Sequence, residues 1–115
     1  MQKIKTILAI TFFMLSLSPV ALAGNPEKLL GIVLDFDKQE VTIQVVSSGC
    51  TQKKDFSFEM KGDTLTIVRT RRDDCKMVET PSQLTYSLKE AGINPNKPFI
   101  LRNKLVTSYF TAKIQ

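Results

Sequence analysis

The chain has 115 residues, of which 43% are hydrophobic and 23% charged, with 16 Lys+Arg against 11 Asp+Glu. This length and balance are those of one folded domain and exclude a largely disordered chain. The sequence contains no histidine, which excludes a Ser-His-Asp triad, a histidine-ligated zinc or haem site and a histidine pH switch.

Residues 1–23 have the pattern of a secretory signal peptide. Lys3 and Lys5 give a positive start, an apolar run follows, and Ala21-Leu22-Ala23 provides the small-x-small pattern of a cleavage site. The apolar run is shorter than the roughly 20 residues that a membrane-spanning helix needs. We therefore expect cleavage after Ala23, export to the periplasm or the medium, no membrane span after cleavage, and a single β domain over residues 24–115.

Removal of the leader lowers the basic excess of the chain. Lys3 and Lys5 are lost with it, so 14 basic side chains face 11 acidic ones and the net charge falls from +5 to +3. Nucleic-acid binders concentrate Lys and Arg in a patch with interleaved aromatic residues, whereas these charges mostly alternate with apolar residues. A nucleic-acid partner is therefore not expected.

Beyond the leader, apolar and polar residues alternate with the period of two that indicates β-strands. Residues 30–36 and 41–45 form two such runs. A chain reversal between them pairs residues whose numbers sum to 77, which sets Phe36 beside Val41. Asp37 suits the first position of the turn, so the two runs predict a hairpin.

A second hairpin is predicted around Gly62-Asp63, because glycine accepts the positive φ of the first central position in a two-residue type II′ turn. The numbers of paired residues then sum to 125, which sets Phe58 beside Ile67 and Cys50 opposite Cys75. The turn, the apolar alternation and the cysteines agree on this register, and a slip by one residue would break all three.

This register predicts a disulfide between Cys50 and Cys75. Export to an oxidising compartment permits the bond, and a loop of this size contributes about 3 kcal/mol in the chain-entropy account. A metal-binding pair fits less well, because two thiolates without histidine or further cysteine make a poor closed zinc site, and no metal or cofactor is expected. Two pairs of cations also face each other, so we expect the arms to diverge or bulge there: Lys53 with Arg72, and Lys54 with Arg71.

The last third of the chain predicts a strand around 84–88, one helical turn at 89–92 and a final hairpin of 99–102 with 105–110. With these elements, about seven short strands are expected after the leader. That number in so short a chain indicates an all-β fold, a small antiparallel β-sandwich or barrel with one disulfide.

Polar side chains crowd the two arms that lead to the predicted disulfide. The candidate binding residues are the cations of these two arms: Lys53, Lys54, Arg69, Arg71 and Arg72. Such a cluster binds an anion or an acidic protein surface, or it is a solvated ladder partly neutralised by Asp55, Asp73 and Asp74, and both interpretations stay open. No catalytic residue is assigned, because each of these carboxylates lies beside a Lys or Arg that holds it ionised.

The two arms carry the patterns Gly49-Cys50-Thr51-x-Lys53-x-Asp55-Phe56 and Arg69-x-x-x-Asp73-x-Cys75. In these patterns the chain resembles a family of small secreted or periplasmic bacterial proteins with no assigned activity. The resemblance implies an exported, disulfide-bonded β domain of bacterial origin, and it supplies no catalytic residues.

We therefore expect a non-enzymatic domain that binds an envelope or extracellular protein, or an anionic ligand, through the basic cluster around the disulfide. The alternative is a proteinaceous inhibitor of a secreted or periplasmic hydrolase, with residues 94–98 or 47–51 as the presenting loop. An enzyme with carboxylate chemistry ranks last.

Overall fold

The computed structural model describes residues 25–106, and the expected leader at 1–23 lies outside this range. Two three-stranded sheets, β1-β2-β5 and β3-β4-β6, pack together. They confirm the all-β sandwich, and residues 25–106 contain six strands where about seven are expected for the whole domain. No helix of the described range is long and apolar enough to cross a membrane. The elements are β1 (Gly31–Asp35), β2 (Glu40–Ser47), a short 3-10 helix η1 (Lys53–Asp55), β3 (Phe56–Lys61), β4 (Thr64–Arg69), β5 (Thr80–Ser87) and β6 (Ile100–Leu101).

The hydrophobic core combines side chains from both sheets. Strand β2 buries every second residue, Val41, Ile43 and Val45, with no exposed surface, and β4 contributes Leu65 and Ile67, also fully buried. Successive side chains of a strand point to opposite faces, so this alternation turns one face of β2 inward. Full burial of one such side chain stabilises the fold by about 1.5–3 kcal/mol, and these residues therefore hold the sheets together.

The hairpin of β1 and β2 has a different register from the predicted one. Leu34 pairs with Val41, whereas the sequence predicts Phe36 at that place. The strand ends early because Oδ1 of Asp35 accepts two backbone N–H groups of the turn, at 3.1 and 3.0 Å. Phe36 lies in the turn and is 53% exposed. The register shift is even, so Ile32 and Leu34 still lie on the face that packs against the core.

The hairpin of β3 and β4 has the predicted register, with Phe58 paired to Ile67. Gly62 at its turn has a φ of 62°, the positive value that the first central position of a type II′ turn requires. Beyond the strands the two arms diverge as expected, because η1 leads one of them away. The Cys50–Cys75 disulfide, with Cα atoms 5.8 Å apart, closes the arms and confirms the predicted bond.

The helical turn after β5 also forms as predicted. Ser87 and Glu90 satisfy each other's backbone N–H groups at 2.7 and 3.0 Å, which is a capping box. Gly92, with a φ of 72°, ends the turn, and the N–H of Ile93 donates to the carbonyl of Leu88 at 2.9 Å as in a Schellman motif.

The predicted last hairpin is wrong in the part that the structure describes. Strand β6 lies parallel to β4, and Leu105 forms a bridge with Leu29. Asn103, placed in a turn by the sequence, is buried, and its side chain pairs with β4 as a strand would. Its Oδ1 accepts the N–H of Ile67 at 2.8 Å and its Nδ2 donates to the carbonyl of Ile67 at 2.7 Å. Residues 107–110 of that hairpin lie outside the described range.

Candidate functional site

Asp73 lies at the centre of the polar region beside the disulfide. Its carboxylate accepts five hydrogen bonds of 2.6 to 3.2 Å, from the N–H groups of Ser48, Cys50 and Cys75 and from the hydroxyls of Ser47 and Thr51. These donors, the Thr51 hydroxyl most of all, hold the pKa of Asp73 far below its ordinary value. A carboxylate that is ionised and so fully engaged is a structural group and a poor general acid.

The sulfur atoms of Cys50 and Cys75 and a carboxylate oxygen of Asp73 lie within 4.8 Å of one another, the spacing of a metal site. The two sulfur atoms are bonded to each other, and the carboxylate is occupied by the five donors just described. The three residues therefore lack the free ligand atoms that an ion requires. They form a covalent and hydrogen-bonded staple between the two arms.

Arg69, one of the predicted binding cations, is engaged within the scaffold. Its guanidinium donates to Oε2 of Glu27 at 2.6 and 2.9 Å, to the hydroxyl of Thr51 at 3.0 Å and to the carbonyl of Val46 at 2.9 Å. It also lies 4.7 Å from the centroid of the Phe56 ring. The Arg69 side chain is only 16% exposed. The structure thus places Arg69 among the groups that join the sheets and outside the exposed surface.

Lys53 and Lys54 are exposed and stand at an open groove of about 490 Å³ between β3 and β5. We call it the Lys53 groove. Among the strands of residues 25–106, β3 and β5 are the edge strands of their sheets on this side. The rings of Phe58 and Tyr86 meet there edge to face, with centroids 4.7 Å apart. The complete lining is Lys53, Lys54, Phe56, Ser57, Phe58, Tyr86 and Glu90.

Tyr86 fixes Lys53 in this groove. The Tyr86 hydroxyl donates to the carbonyl of Lys53 at 2.7 Å, and the Lys53 ammonium lies 5.0 Å from the centroid of the Tyr86 ring. Burial, together with the carboxylates of Glu90 and Asp55, raises the pKa of Tyr86 to about 12, so the phenol remains a donor at neutral pH. Nζ of Lys53 also lies 3.8 Å from Oε2 of Glu90, but both side chains are half exposed. Such an ion pair is weak, so an external anion can replace Glu90 as the partner of Lys53.

Helix η1 is held in place by Asp55, which is 4% exposed. The Asp55 carboxylate accepts the N–H of Gln52 at 2.8 Å, and its carbonyl accepts the N–H and the hydroxyl of Thr70 at 2.7 and 3.0 Å. Asp55, the last residue of η1, therefore anchors the C-terminal end of the helix, while Lys53 and Lys54 stay exposed.

Arg71 and Arg72 line a separate depression of about 300 Å³ over the disulfide. Arg72 lies 3.9 Å from Asp74, and these two side chains are 91% and 85% exposed. The five predicted cations therefore occupy three environments. Arg69 belongs to the scaffold, Lys53 and Lys54 to the Lys53 groove, and Arg71 and Arg72 to the disulfide depression.

Compared with protein-family models, curated proteins and solved structures, the chain has no match. The resemblance to small secreted bacterial proteins stays a prediction. Within the patterns that carry this resemblance, Thr51, Asp55, Arg69 and Asp73 all bind backbone groups or one another. Their role in this structure is to build the scaffold.

Sequence reasoning missed the aromatic part of the groove. In the predicted strand at 84–88, Tyr86 shares a face with Leu84 and Leu88, which indicates a core position. Tyr86 does lie in the core, but its hydroxyl reaches η1 across 33 sequence positions. The Ser-x-x-Glu spacing before an apolar residue was the one available signal for Glu90, because it predicts a capping box. No local pattern reports the approach of β5 to η1.

Proposed function

We propose that this protein is an exported, non-enzymatic binding domain of bacterial origin that acts in the periplasm or outside the cell. The disulfide supports export, because such bonds persist in oxidising compartments, and residues 1–23 have the signal-peptide pattern. The carboxylates support binding over catalysis. Asp55 and Asp73 are engaged by internal hydrogen bonds, and Asp74 is exposed beside Arg72.

The observation that carries the proposal is the composition of the Lys53 groove. Phe56, Phe58 and Tyr86 supply apolar and aromatic area, and Lys53 and Lys54 supply positive charge. Aromatic residues are enriched at the cores of protein interfaces, and complementary charge selects the partner. An acidic partner surface therefore suits this groove better than a neutral or basic one.

The position of the groove specifies the form of that partner. Strands β3 and β5, which flank the groove, each pair on one side only in the described part of the chain. Each of them therefore has an outer edge whose backbone N–H and C=O groups lack a strand partner. An extended segment can pair with such an edge. The proposed partner is thus an envelope or extracellular protein with an extended acidic segment.

Site-specific photo-crosslinking in the native compartment tests this proposal. A photoreactive residue at Ser57, in the groove wall, should yield an adduct with a defined partner, and the same residue at exposed Lys38 should not. The double substitution Lys53→Glu and Lys54→Glu should abolish the Ser57 adduct, because it reverses the charge that selects the partner. The matched control, Lys38→Glu with Lys61→Glu, changes the net charge equally and should retain the adduct. Equal adduct yields from both double variants would contradict the proposal.

A hydrolase inhibitor is the second candidate, and loop 94–98 favours it. All five residues are exposed, and Asn94 shapes the loop. Its Oδ1 accepts the N–H of Asn96 at 2.8 Å, and its carbonyl accepts the N–H of Lys97 at 3.1 Å. A pre-formed loop loses little conformational entropy on entering an active site. The other predicted presenting loop, 47–51, suits this role less, because Asp73 occupies its N–H groups from within.

The inhibitor candidate predicts stoichiometric inhibition. Equimolar protein should reduce the activity of a secreted lysozyme or protease, and Asn94→Ala should weaken that inhibition, because the loop loses its Asx hydrogen bond. Full hydrolase activity at equimolar protein across a panel of both enzyme classes would eliminate this candidate.

A further inference from the structure

A second cationic pocket lies between the segment before β1 and the segment after β6. It has a volume of about 240 Å³ and is lined by Pro26, Lys28, Arg102 and Lys104. The three cations are exposed. None of them has a side-chain hydrogen bond or an ion pair with another residue of the described range. We call it the Arg102 pocket, and it shares no lining residue with the Lys53 groove.

Buried neighbours explain why the three cations converge. Leu29 has no exposed surface, and Asn103 is 6% exposed, so both side chains point into the protein. Lys28, Arg102 and Lys104 flank these two buried residues in the chain and are exposed, so they lie on the outer side. Two backbone hydrogen bonds of 3.0 and 2.9 Å, to and from Leu29, keep the two segments side by side.

The carboxylate nearest in sequence is engaged elsewhere. Glu27 directly precedes Lys28, but its side chain binds Arg69 at 2.6 Å and is 20% exposed. The amide of Asn103 holds the backbone at the same place by donating to the Glu27 carbonyl at 2.7 Å. Three positive charges therefore surround a concave site without an acidic lining residue in the described range. Such a site concentrates anions.

We propose that the Arg102 pocket binds a phosphate-bearing ligand. A phosphomonoester carries about −1.5 to −2 charges at neutral pH and offers three acceptor oxygens, which matches three cations, whereas a carboxylate carries a single charge. The guanidinium of Arg102 can engage two phosphate oxygens in parallel, and Lys28 and Lys104 act as point charges. This inference goes beyond the proposed function and does not depend on it.

An NMR titration of the purified protein at low ionic strength tests the inference, with inorganic phosphate and glycerol phosphate as probes. Both should give saturable shifts of the backbone amides of Lys28 and Lys104 and of the Arg102 side-chain N–H. The triple variant Lys28→Gln, Arg102→Gln, Lys104→Gln should weaken binding by about tenfold or more. The control triple variant, in which exposed Lys38, Lys61 and Lys89 become Gln, loses the same charge and should change the affinity by less than about twofold.

Vesicles of phosphatidic acid in phosphatidylcholine separate the two sources of such a phosphate. Sedimentation with these vesicles, lost in the Arg102 pocket variant, supports a lipid headgroup, and binding of the soluble probes alone supports a soluble phosphomonoester. The absence of saturable shifts at the pocket, or an equal loss of affinity in both triple variants, would overturn the inference. Failure of the Ser57 crosslink leaves these outcomes unchanged, so the two proposals fail separately.

Discussion

At the scale of single residues, one carboxylate organises the polar region around the disulfide. Asp73 gathers N–H and hydroxyl donors from the loop after β2 and from Cys75. Those N–H groups would otherwise lack partners in a loop without regular secondary structure. The many polar side chains of this region therefore serve in part to hydrogen-bond backbone N–H groups within the protein, as well as being available for binding.

Asp73→Asn should lower the stability of the protein. An amide has one acceptor oxygen, so in either orientation its NH₂ group opposes backbone N–H donors that the carboxylate now accepts. The midpoint of urea unfolding should fall clearly. Asp74→Asn is the matched control, because the Asp74 side chain is 85% exposed, and its midpoint should stay near that of the unmodified protein. Equal midpoints of urea unfolding for the two variants would contradict the structural role assigned to Asp73.

The lowered pKa of Asp73 also predicts how stability depends on pH. The unfolded chain binds a proton at Asp73 near the ordinary pKa of 3.8, and the folded protein binds it only at lower pH. The stabilisation is therefore complete above about pH 5 and is lost as the pH falls through the folded pKa. Between pH 5 and 2, urea unfolding should show a smaller decline for Asp73→Asn than for the unmodified protein. Parallel declines would contradict the assignment.

Asn103 is the second residue on which the fold depends. Asn103→Asp keeps the acceptor for the N–H of Ile67 but removes both donors, which leaves a carboxylate against the carbonyls of Ile67 and Glu27. We expect a loss of about 3 kcal/mol in the free energy of unfolding. Asn94→Asp, at an exposed site where only the acceptor is used, should change it by less than about 0.5 kcal/mol. A small effect of Asn103→Asp would contradict the strand-like role of this side chain.

At the scale of elements, predictability from sequence depends on how local the determining contact is. The β3–β4 hairpin could be predicted because Gly62, the apolar alternation and the cysteines specify one register. The β1–β2 register could not, because the Asp35 side chain begins the turn earlier than the apolar pattern suggests. The prediction of the last hairpin is wrong because Asn103 pairs with Ile67 across 36 sequence positions, and no local sequence pattern indicates such a contact.

The same distinction applies to the site. Lys53 and Lys54 could be singled out as cations near the disulfide, but the aromatic groove beside them is built by the distant β5. Arg69 has the same sequence signature as the other cations, yet its partner Glu27 lies 42 positions away. A charge cluster in a sequence therefore does not distinguish an ion pair of the scaffold from a free binding cation.

Gly62→Ala tests the β3–β4 turn. An added Cβ would meet no atom within 4 Å, so the expected loss of about 1 to 2 kcal/mol comes only from the positive φ of 62°. Gly31→Ala is the control, because its added Cβ makes only ordinary contacts, at 3.6 Å or more, with Gln44, and we expect no loss there. Urea unfolding measures both, and equal stability of the two variants would argue against the type II′ turn.

The disulfide should contribute about 3 kcal/mol to the free energy of unfolding, since it closes a loop between cysteines 25 positions apart. Urea unfolding with and without reductant measures this contribution. The double variant Cys50→Ser and Cys75→Ser should match the reduced protein and should not respond to reductant. Unchanged stability on full reduction, verified by the intact mass after alkylation, would show that the bond adds nothing beyond the Asp73 network.

At the scale of the whole molecule, the cations are divided between structure and surface. Arg69 joins the two sheets, whereas Lys53 and Lys54 stand at a groove between sheet edges and three further cations line the Arg102 pocket. This division, and not the small net charge, supports the proposal of a binding domain. In that proposal, the Lys53 groove is the contact surface.

The role of the Lys53 groove is tested by the yield of the Ser57 photo-adduct in the Lys53→Glu, Lys54→Glu variant, measured together with the melting temperature of that variant. Both side chains are exposed, so the melting temperature should stay within a few degrees of the unmodified value, and the adduct should disappear. An undiminished adduct, or one lost only together with the fold, would contradict the assignment of this groove as the contact surface.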